Sequence, residues 1–126
     1  MSEFAANCPK NCPPPAAADV QGDVYRFVRN DPPAFHDMRS WEDEGRNPGQ
    51  GDPCSRCGLS VLTRPEDVHV ARKAIPFFRR LHVSRAVLRP EHGQICKTGN
   101  HRWHYDLWVR TVHGATIHQE FSVVTV

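Results

Sequence analysis

The sequence has no long apolar run. Its 126 residues include nothing close to the ~20 consecutive apolar residues that a membrane-spanning helix needs. The start of the chain also lacks the basic residues and apolar stretch of a secretory signal peptide. We therefore expect a cytoplasmic protein without a membrane segment.

The chain also lacks a large excess of positive or negative charge. The chain has 16 basic and 14 acidic residues, and its net charge of +2 does not predict nucleic-acid binding. An even set of cysteines is missing as well: the chain has five, and in a reducing compartment this odd number argues against a disulfide framework. No complete catalytic motif is present. These absences favour a small interaction or accessory module that binds a protein partner and does no catalysis.

Large apolar side chains are rare at the N-terminus. Residues 1–21 hold four of the eleven prolines and an alanine run. Such a segment buries too little surface to offset the entropy lost on ordering. We expect a flexible tail over residues 1–21 and one folded domain over residues 22–126.

Five segments of the predicted domain show strand patterns. They are "GDVYRFVR", "LSVLT", "LHVSRAVL", "RWHYDLWV" and "ATIHQEFSVVTV", the last forming one or two strands. In the first of them, Val24 and Val28 point to one face, and Tyr25 and Phe27 to the other. Turns rather than helices separate the later strands, which predicts antiparallel pairing. The expected fold is α+β, with one mainly antiparallel sheet of about five strands and two helices.

Two helices are predicted between the early strands. The first begins at Asp31, and its apolar face carries Phe35, Met38 and Trp41. The second begins at Thr63 and should end before Pro76, which cannot donate a helical hydrogen bond.

The cysteines suggest a zinc site. Cys54 and Cys57 have the spacing of half of a structural zinc centre. The other half has two candidate sources: Cys8 and Cys12 in the tail, or Cys96 with His101 and His104. The alternative is that these are ordinary loop cysteines. A thioredoxin-like redox role is disfavoured because that motif opens a helix, whereas this one precedes a strand.

A histidine and a carboxylate lie two residues apart in "RWHYDLWV". On a strand, His104 and Asp106 share a face, so the carboxylate can orient the imidazole for general acid–base catalysis. Trp108 on that face can stack against a ligand ring. The alternative is a solvent-exposed strand face of the kind that antiparallel sheets usually show.

A run of cations occurs without any acid among them. Phosphate binding is one interpretation, and a solvated surface is the other. The six residues are Arg72, Lys73, Arg79, Arg80, Arg85 and Arg89.

Three further residues suggest a family. Arg26 lies in "VYRFVR", Ser60 lies in "GLSVLT" before a helix, and Glu120 follows Gln119 in "HQEF". This order resembles the ADP-ribosyltransferase fold of small bacterial toxin-type enzymes. The resemblance implies NAD as substrate, with Arg26 and Ser60 binding it and Glu120 catalytic. The alternative is three ordinary strand residues. The segments "GLSVLT" and "NHRWHYDLWV" also resemble small uncharacterised bacterial proteins, which implies no activity.

Overall fold

The structure is a computed structural model that describes residues 3–126. It combines helices with antiparallel strands, so the predicted α+β class is confirmed. Within the described residues, no helix is both long enough and apolar enough to cross a membrane.

In the described residues, seven strands build two antiparallel sheets instead of the single sheet expected. The strands are β1 (Ala18–Asp19), β2 (Gly22–Val28), β3 (Leu59–Val61), β4 (His82–Leu88), β5 (Gly93–Lys97), β6 (Tyr105–Val109) and β7 (Ser122–Val124). One sheet has the order β1-β5-β6-β3, and the other has the order β2-β4-β7.

The helices are short. They comprise α1 (Trp41–Glu44), α2 (Pro53–Arg56) and α3 (Pro65–Ala74), together with 3-10 helices at Phe35–Met38, Pro76–Arg80, Pro90–His92, Thr111–His113 and Ile117–Glu120. As predicted, α3 ends before Pro76, and it buries Val68 and Ala71. It begins one residue later than expected, after Arg64.

The first predicted helix is broken in two. A 3-10 helix ends at Met38, and α1 begins after Ser40, whose hydroxyl accepts a hydrogen bond from the Asp43 amide at 3.1 Å. The extended backbone of Ser40 interrupts the helical path. Met38 is buried, whereas Phe35 and Trp41 are exposed, so the three do not form one apolar face.

Strand β2 joins two parts of the core. Val24 and Val28 pack between the two sheets, and Tyr25 packs in a second cluster that contains Val68 and Ala71 of α3. The β2-β4-β7 sheet therefore lies between the other sheet and α3. This confirms the prediction that β2 is apolar on both faces.

The N-terminal segment packs on the domain. Strand β1 pairs with β5, and Val20 is only 2% exposed. Glu3 accepts a hydrogen bond at 2.8 Å from the Arg110 guanidinium. Residues 3–21 thus contact the domain through sheet pairing and side-chain anchors, although large apolar residues are scarce there. Residues 1 and 2 lie outside the described part of the chain.

The C-terminal segment also differs from expectation. Its first part forms the 3-10 helix Ile117–Glu120, and only Ser122–Val124 is a strand. Glu120 therefore does not lie on a strand, and its side chain is not aligned by sheet geometry.

Candidate functional site

Four of the five cysteines meet between the N-terminal segment and α2. The structure pairs Cys8 with Cys57 and Cys12 with Cys54, each with a Cα–Cα distance of 5.5 Å. This differs from the expectation that the cysteines form no disulfides. The N-terminal segment folds back and supplies the second cysteine pair to "DPCSRC".

The two cysteine bridges touch each other. The Sγ atoms of Cys12 and Cys57, which belong to different bridges, lie 3.7 Å apart. The sulfurs of Cys8, Cys12 and Cys57 all lie within 4.8 Å of one another. The two bridges therefore adjoin, and we call their four cysteines the cysteine centre. Within residues 3–126, Cys8, Cys12 and Cys57 of this centre form the group whose side chains lie close enough together to hold a metal ion.

Tight turns place the four cysteines. In the N-terminal segment, the Cys8 amide donates to the Ala5 carbonyl at 3.0 Å, and the Cys12 amide donates to Pro9 at 3.1 Å. On the other side, the Asp52 carboxylate caps α2, which places Cys54 and Cys57 on consecutive turns. Each pair is therefore presented by local backbone structure.

Trp108 is hydrogen-bonded to the backbone of the cysteine centre. Its indole Nε1–H donates to the Cys54 carbonyl at 2.9 Å. Gly58 leaves room for this approach, because a Cβ there would lie 3.2 Å from the indole nitrogen. Trp108 is only 1% exposed, so the prediction that it stacks against a ligand is wrong.

The alternative metal ligands do not join the centre. Cys96 is a free thiol whose sulfur lies 3.5 Å from the Lys97 carbonyl oxygen. His101 stacks on Trp103, and the His104 ring contacts Ser60 and Thr98. Of the two sources considered for the second half of a zinc site, the structure brings in Cys8 and Cys12.

A second cluster, of polar side chains, surrounds Ser60, which follows Cys57 by three residues in the sequence. His104 Nε2 is 2.9 Å from Ser60 Oγ and 3.9 Å from Asp106 Oδ1. The Thr98 hydroxyl donates to Asp106 Oδ2 at 2.9 Å and lies 3.1 Å from His104 Nδ1. The β3–β6 pairing aligns Ser60 with Asp106, and the loop between β5 and β6 supplies the other two.

The cluster combines an accessible hydroxyl with a buried carboxylate. Ser60 is exposed, whereas Asp106 is only 2% exposed. The interpretation of His104, Asp106 and Trp108 as an exposed strand face is therefore wrong. His104 and Asp106 were predicted as a pair, but the sequence did not connect them with Ser60, and Thr98 carried no recognisable signal.

Arg26 lies beside this cluster. Its guanidinium donates to the carbonyl oxygens of Asp37 and Ser60, both at 2.8 Å. Burial lowers the pKa of Arg26 to about 10, against the opposing charges of Asp37 and Glu44. The side chain is thus a cation held next to Ser60.

Glu120 is at a different place in the fold. Its carboxylate is 3.8 Å from the Nε2 atom of His92, which adjoins Arg110 through a backbone hydrogen bond. Ser60, by contrast, is paired with Asp106. Asp106 and Arg110 are four residues apart, which is about 13 Å of extended chain at ~3.3 Å per residue. Arg26 and Ser60 are therefore brought together, and Glu120 is not brought to them. NAD-dependent transfer stays a prediction from the resemblance.

The predicted basic cluster is divided. Arg85 pairs with Asp23 at 2.9 Å, and Arg89 pairs with Glu91 at 3.0 Å. Arg72, Lys73 and Arg79 line a hollow of about 370 Å³ on α3. The Arg72 guanidinium donates hydrogen bonds to the carbonyl oxygens of Phe78 and Leu81.

A larger groove borders the cysteine centre. Its volume is about 460 Å³, and Cys57 is part of its wall. The remaining lining is mostly apolar and includes Ala5, Phe35, Met38, Leu59, Val109 and Ile117.

Comparison with known proteins adds no assignment: no family model, curated protein or solved structure matches this chain.

Proposed function

We propose that this chain is a zinc-stabilised binding domain. Its zinc ligands are the thiolates of Cys8, Cys12, Cys54 and Cys57. The observation that carries the proposal is the meeting of the two cysteine pairs, in which the sulfurs of Cys8, Cys12 and Cys57 lie within 4.8 Å of one another and Cys54 adjoins Cys12. In a reducing compartment, such as the cytoplasm predicted from the sequence, these cysteines are thiols that can bind a metal.

The distance between one sulfur of each bridge supports zinc. Zn–S bonds of about 2.3 Å in a tetrahedron put neighbouring sulfurs about 3.8 Å apart. The contact between Cys12 and Cys57, which no bond requires, is 3.7 Å. Two separate disulfides have no need to touch, whereas four ligands of one ion must. The Cys-x-x-x-Cys and Cys-x-x-Cys spacings also provide ligands in the close pairs typical of structural zinc sites.

Zinc would anchor a segment that has little core of its own. Before β1, residues 3–17 contain few large apolar side chains, and Phe4 is the largest. Metal binding supplies free energy to folding when the site forms only in the folded state. The cysteine centre therefore accounts for the packing of this segment.

The anchored segment forms part of a binding surface. Ala5 and Cys57 contribute to the apolar groove, so the cysteine centre holds one of its walls in place. Phe35 lines the groove and is exposed, and Trp41 is exposed nearby in the chain. Exposed aromatic residues are enriched at protein interfaces. We infer that the groove accepts an apolar side chain of a partner protein, in line with the interaction module expected from the sequence.

Metal analysis tests the proposal. The full chain, produced with zinc and purified under reducing conditions, should contain one zinc ion per molecule. Cobalt substitution should give the visible absorption of a tetrahedral thiolate site. Cys54→Ser should lower the zinc content and the melting temperature, because three ligands hold the ion more weakly.

Cys96→Ser is the matched control, because this thiol lies outside the centre. It should leave the zinc content unchanged. The proposal is overturned if reductively purified protein contains no zinc and its intact mass is lower by four hydrogen atoms, as two stable disulfides require.

A further inference from the structure

We propose that Ser60 is a nucleophile for acyl transfer and that His104 is its general base. This site is separate from the cysteine centre and does not depend on zinc. It is carried by an ordered chain of hydrogen bonds that runs from an exposed hydroxyl to a buried carboxylate.

The direction of each hydrogen bond follows from the available protons. The Thr98 hydroxyl has one hydrogen, which it donates to Asp106 Oδ2 at 2.9 Å. Towards His104 Nδ1, at 3.1 Å, this oxygen can therefore only accept, and so can the Thr98 carbonyl oxygen at 3.2 Å. His104 must carry its proton on Nδ1.

The other ring nitrogen is then free to act as a base. A neutral imidazole protonated at Nδ1 has a lone pair at Nε2. Ser60 Oγ lies 2.9 Å from that atom, which is within reach for proton transfer. A serine hydroxyl bonded to an oriented base is the arrangement that activates nucleophiles in acyl transfer.

The surrounding charges suit the reaction. Asp106 Oδ1 lies 3.9 Å from His104 Nε2 and stabilises the imidazolium that forms when the base takes the proton. The Arg26 guanidinium donates to the backbone carbonyl oxygen of Ser60 at 2.8 Å, so a cation lies next to the residue that carries the attacking hydroxyl. Thr98 and Asp106 do not touch the substrate in this scheme and are positioning residues.

The substrate class is an activated carboxylic ester or thioester. Ser60 Oγ forms a bond to the acyl carbon, its proton passes to His104 Nε2, and the bond from carbon to the leaving oxygen or sulfur breaks. The imidazolium returns the proton to the leaving group. Water then attacks the acyl-serine by the same route, which releases the acid and restores Ser60.

A fluorophosphonate probe tests the nucleophile. Ser60 Oγ would displace fluoride from phosphorus and leave a stable adduct. We expect the purified full chain to carry one adduct, located on the peptide that contains Ser60. Ser60→Ala should abolish labelling. His104→Gln should slow it at least about 100-fold, since general bases typically contribute that much.

Two controls separate catalysis from structure. Ser122→Ala removes an exposed strand serine and should leave the labelling rate unchanged. Thr98→Val should slow labelling, and Thr98→Ser should restore it, because only the hydroxyl is needed to fix the tautomer. The inference is overturned if wild-type protein forms no adduct on Ser60. It is also overturned if His104→Gln labels Ser60 at the wild-type rate.

Discussion

At the scale of single residues, Asp37 organises the turn that follows β2. Its carboxylate accepts hydrogen bonds from the amides of Arg29 at 2.7 Å and Ala34 at 2.9 Å, and from the Asn30 side chain at 3.0 Å. Burial raises the pKa of Asp37, but these hydrogen bonds outweigh it and bring the pKa below the usual 3.8. The same turn places the Asp37 carbonyl against Arg26, so it supports the region beside Ser60.

Replacing Asp37 should therefore destabilise the fold. In Asp37→Ala, two partly buried backbone amides and the Asn30 side chain lose their acceptor, and an unpaired group costs about 1–3 kcal/mol when it is buried. We expect the free energy of unfolding, measured in urea at neutral pH, to fall by about 3 kcal/mol. The folded pKa is depressed, so this stabilisation is present above pH 3.8 and is lost as the pH falls through the folded pKa.

Asp31→Ala is the control for this substitution, because Asp31 is an exposed carboxylate in the same turn. It should change the unfolding free energy by less than about 0.5 kcal/mol. Equal losses for the two variants would show that the hydrogen bonds of Asp37 contribute little.

Chemistry at the residue scale was partly visible in the sequence. Ser60 and the His104–Asp106 pair were each predicted as candidate site residues. That they lie in one cluster depends on the β3–β6 register, which aligns Ser60 with Asp106. Nothing local to either strand encodes that register. The cysteine spacings predicted a metal site, which stays a prediction. The meeting of Cys8 and Cys12 with Cys54 and Cys57 depended on a chain reversal that the tail's composition argued against.

At the scale of elements, the β5–β6 hairpin sets the position of His104 and Asp106. Gly93 of β5 is paired with Val109 of β6, and a Cβ at Gly93 would collide with the Trp108 carbonyl oxygen. The backbone of Gly93 is extended, with φ of 164°, so space is what requires glycine here.

Gly93→Ala should push the two strands apart. Overpacking of this kind typically costs about 1–3 kcal/mol, and we expect the unfolding free energy to drop by that amount. Gly114→Ala is the matched control, because its Cβ would lie at an ordinary 3.4 Å from the Thr111 carbonyl oxygen. If both variants unfold at the same urea concentration, the close approach of the strands at Gly93 does not contribute to the free energy of unfolding.

Elements with a strong periodic pattern were predictable, and those that depend on distant contacts were not. The strands β2 and β4 and the helix α3 carry their own apolar patterns, and all three were found. Strand β5, with the sequence "GQICK", has no such pattern and is a strand because β1 and β6 pair with it on either side. The spacing of Phe35, Met38 and Trp41 suggested one helix, but the cap at Ser40 divided it.

At the scale of the whole molecule, the cysteine centre links the N-terminal segment to the groove. One wall of the groove includes Ala5 and Cys57, which belong to opposite sides of the centre. Under the zinc binding that we propose, removing the metal from reduced protein should release the segment and open that wall. Lys10, which lies between Cys8 and Cys12 and is exposed, should then become a trypsin site.

The prediction can be measured on one sample in two states. Zinc-loaded protein titrated with N-acetyl-leucinamide should show NMR shifts at groove residues such as Met38 and Ile117, and trypsin should spare Lys10. A chelator with a reductant should abolish those shifts and make Lys10 the first cleavage site, since an unanchored segment is cut readily. Chelator without reductant, added to protein oxidised to disulfides, is the control and should leave Lys10 protected. If the groove shifts persist after the metal is removed, the cysteine centre is not what holds the wall, and zinc is dispensable for binding.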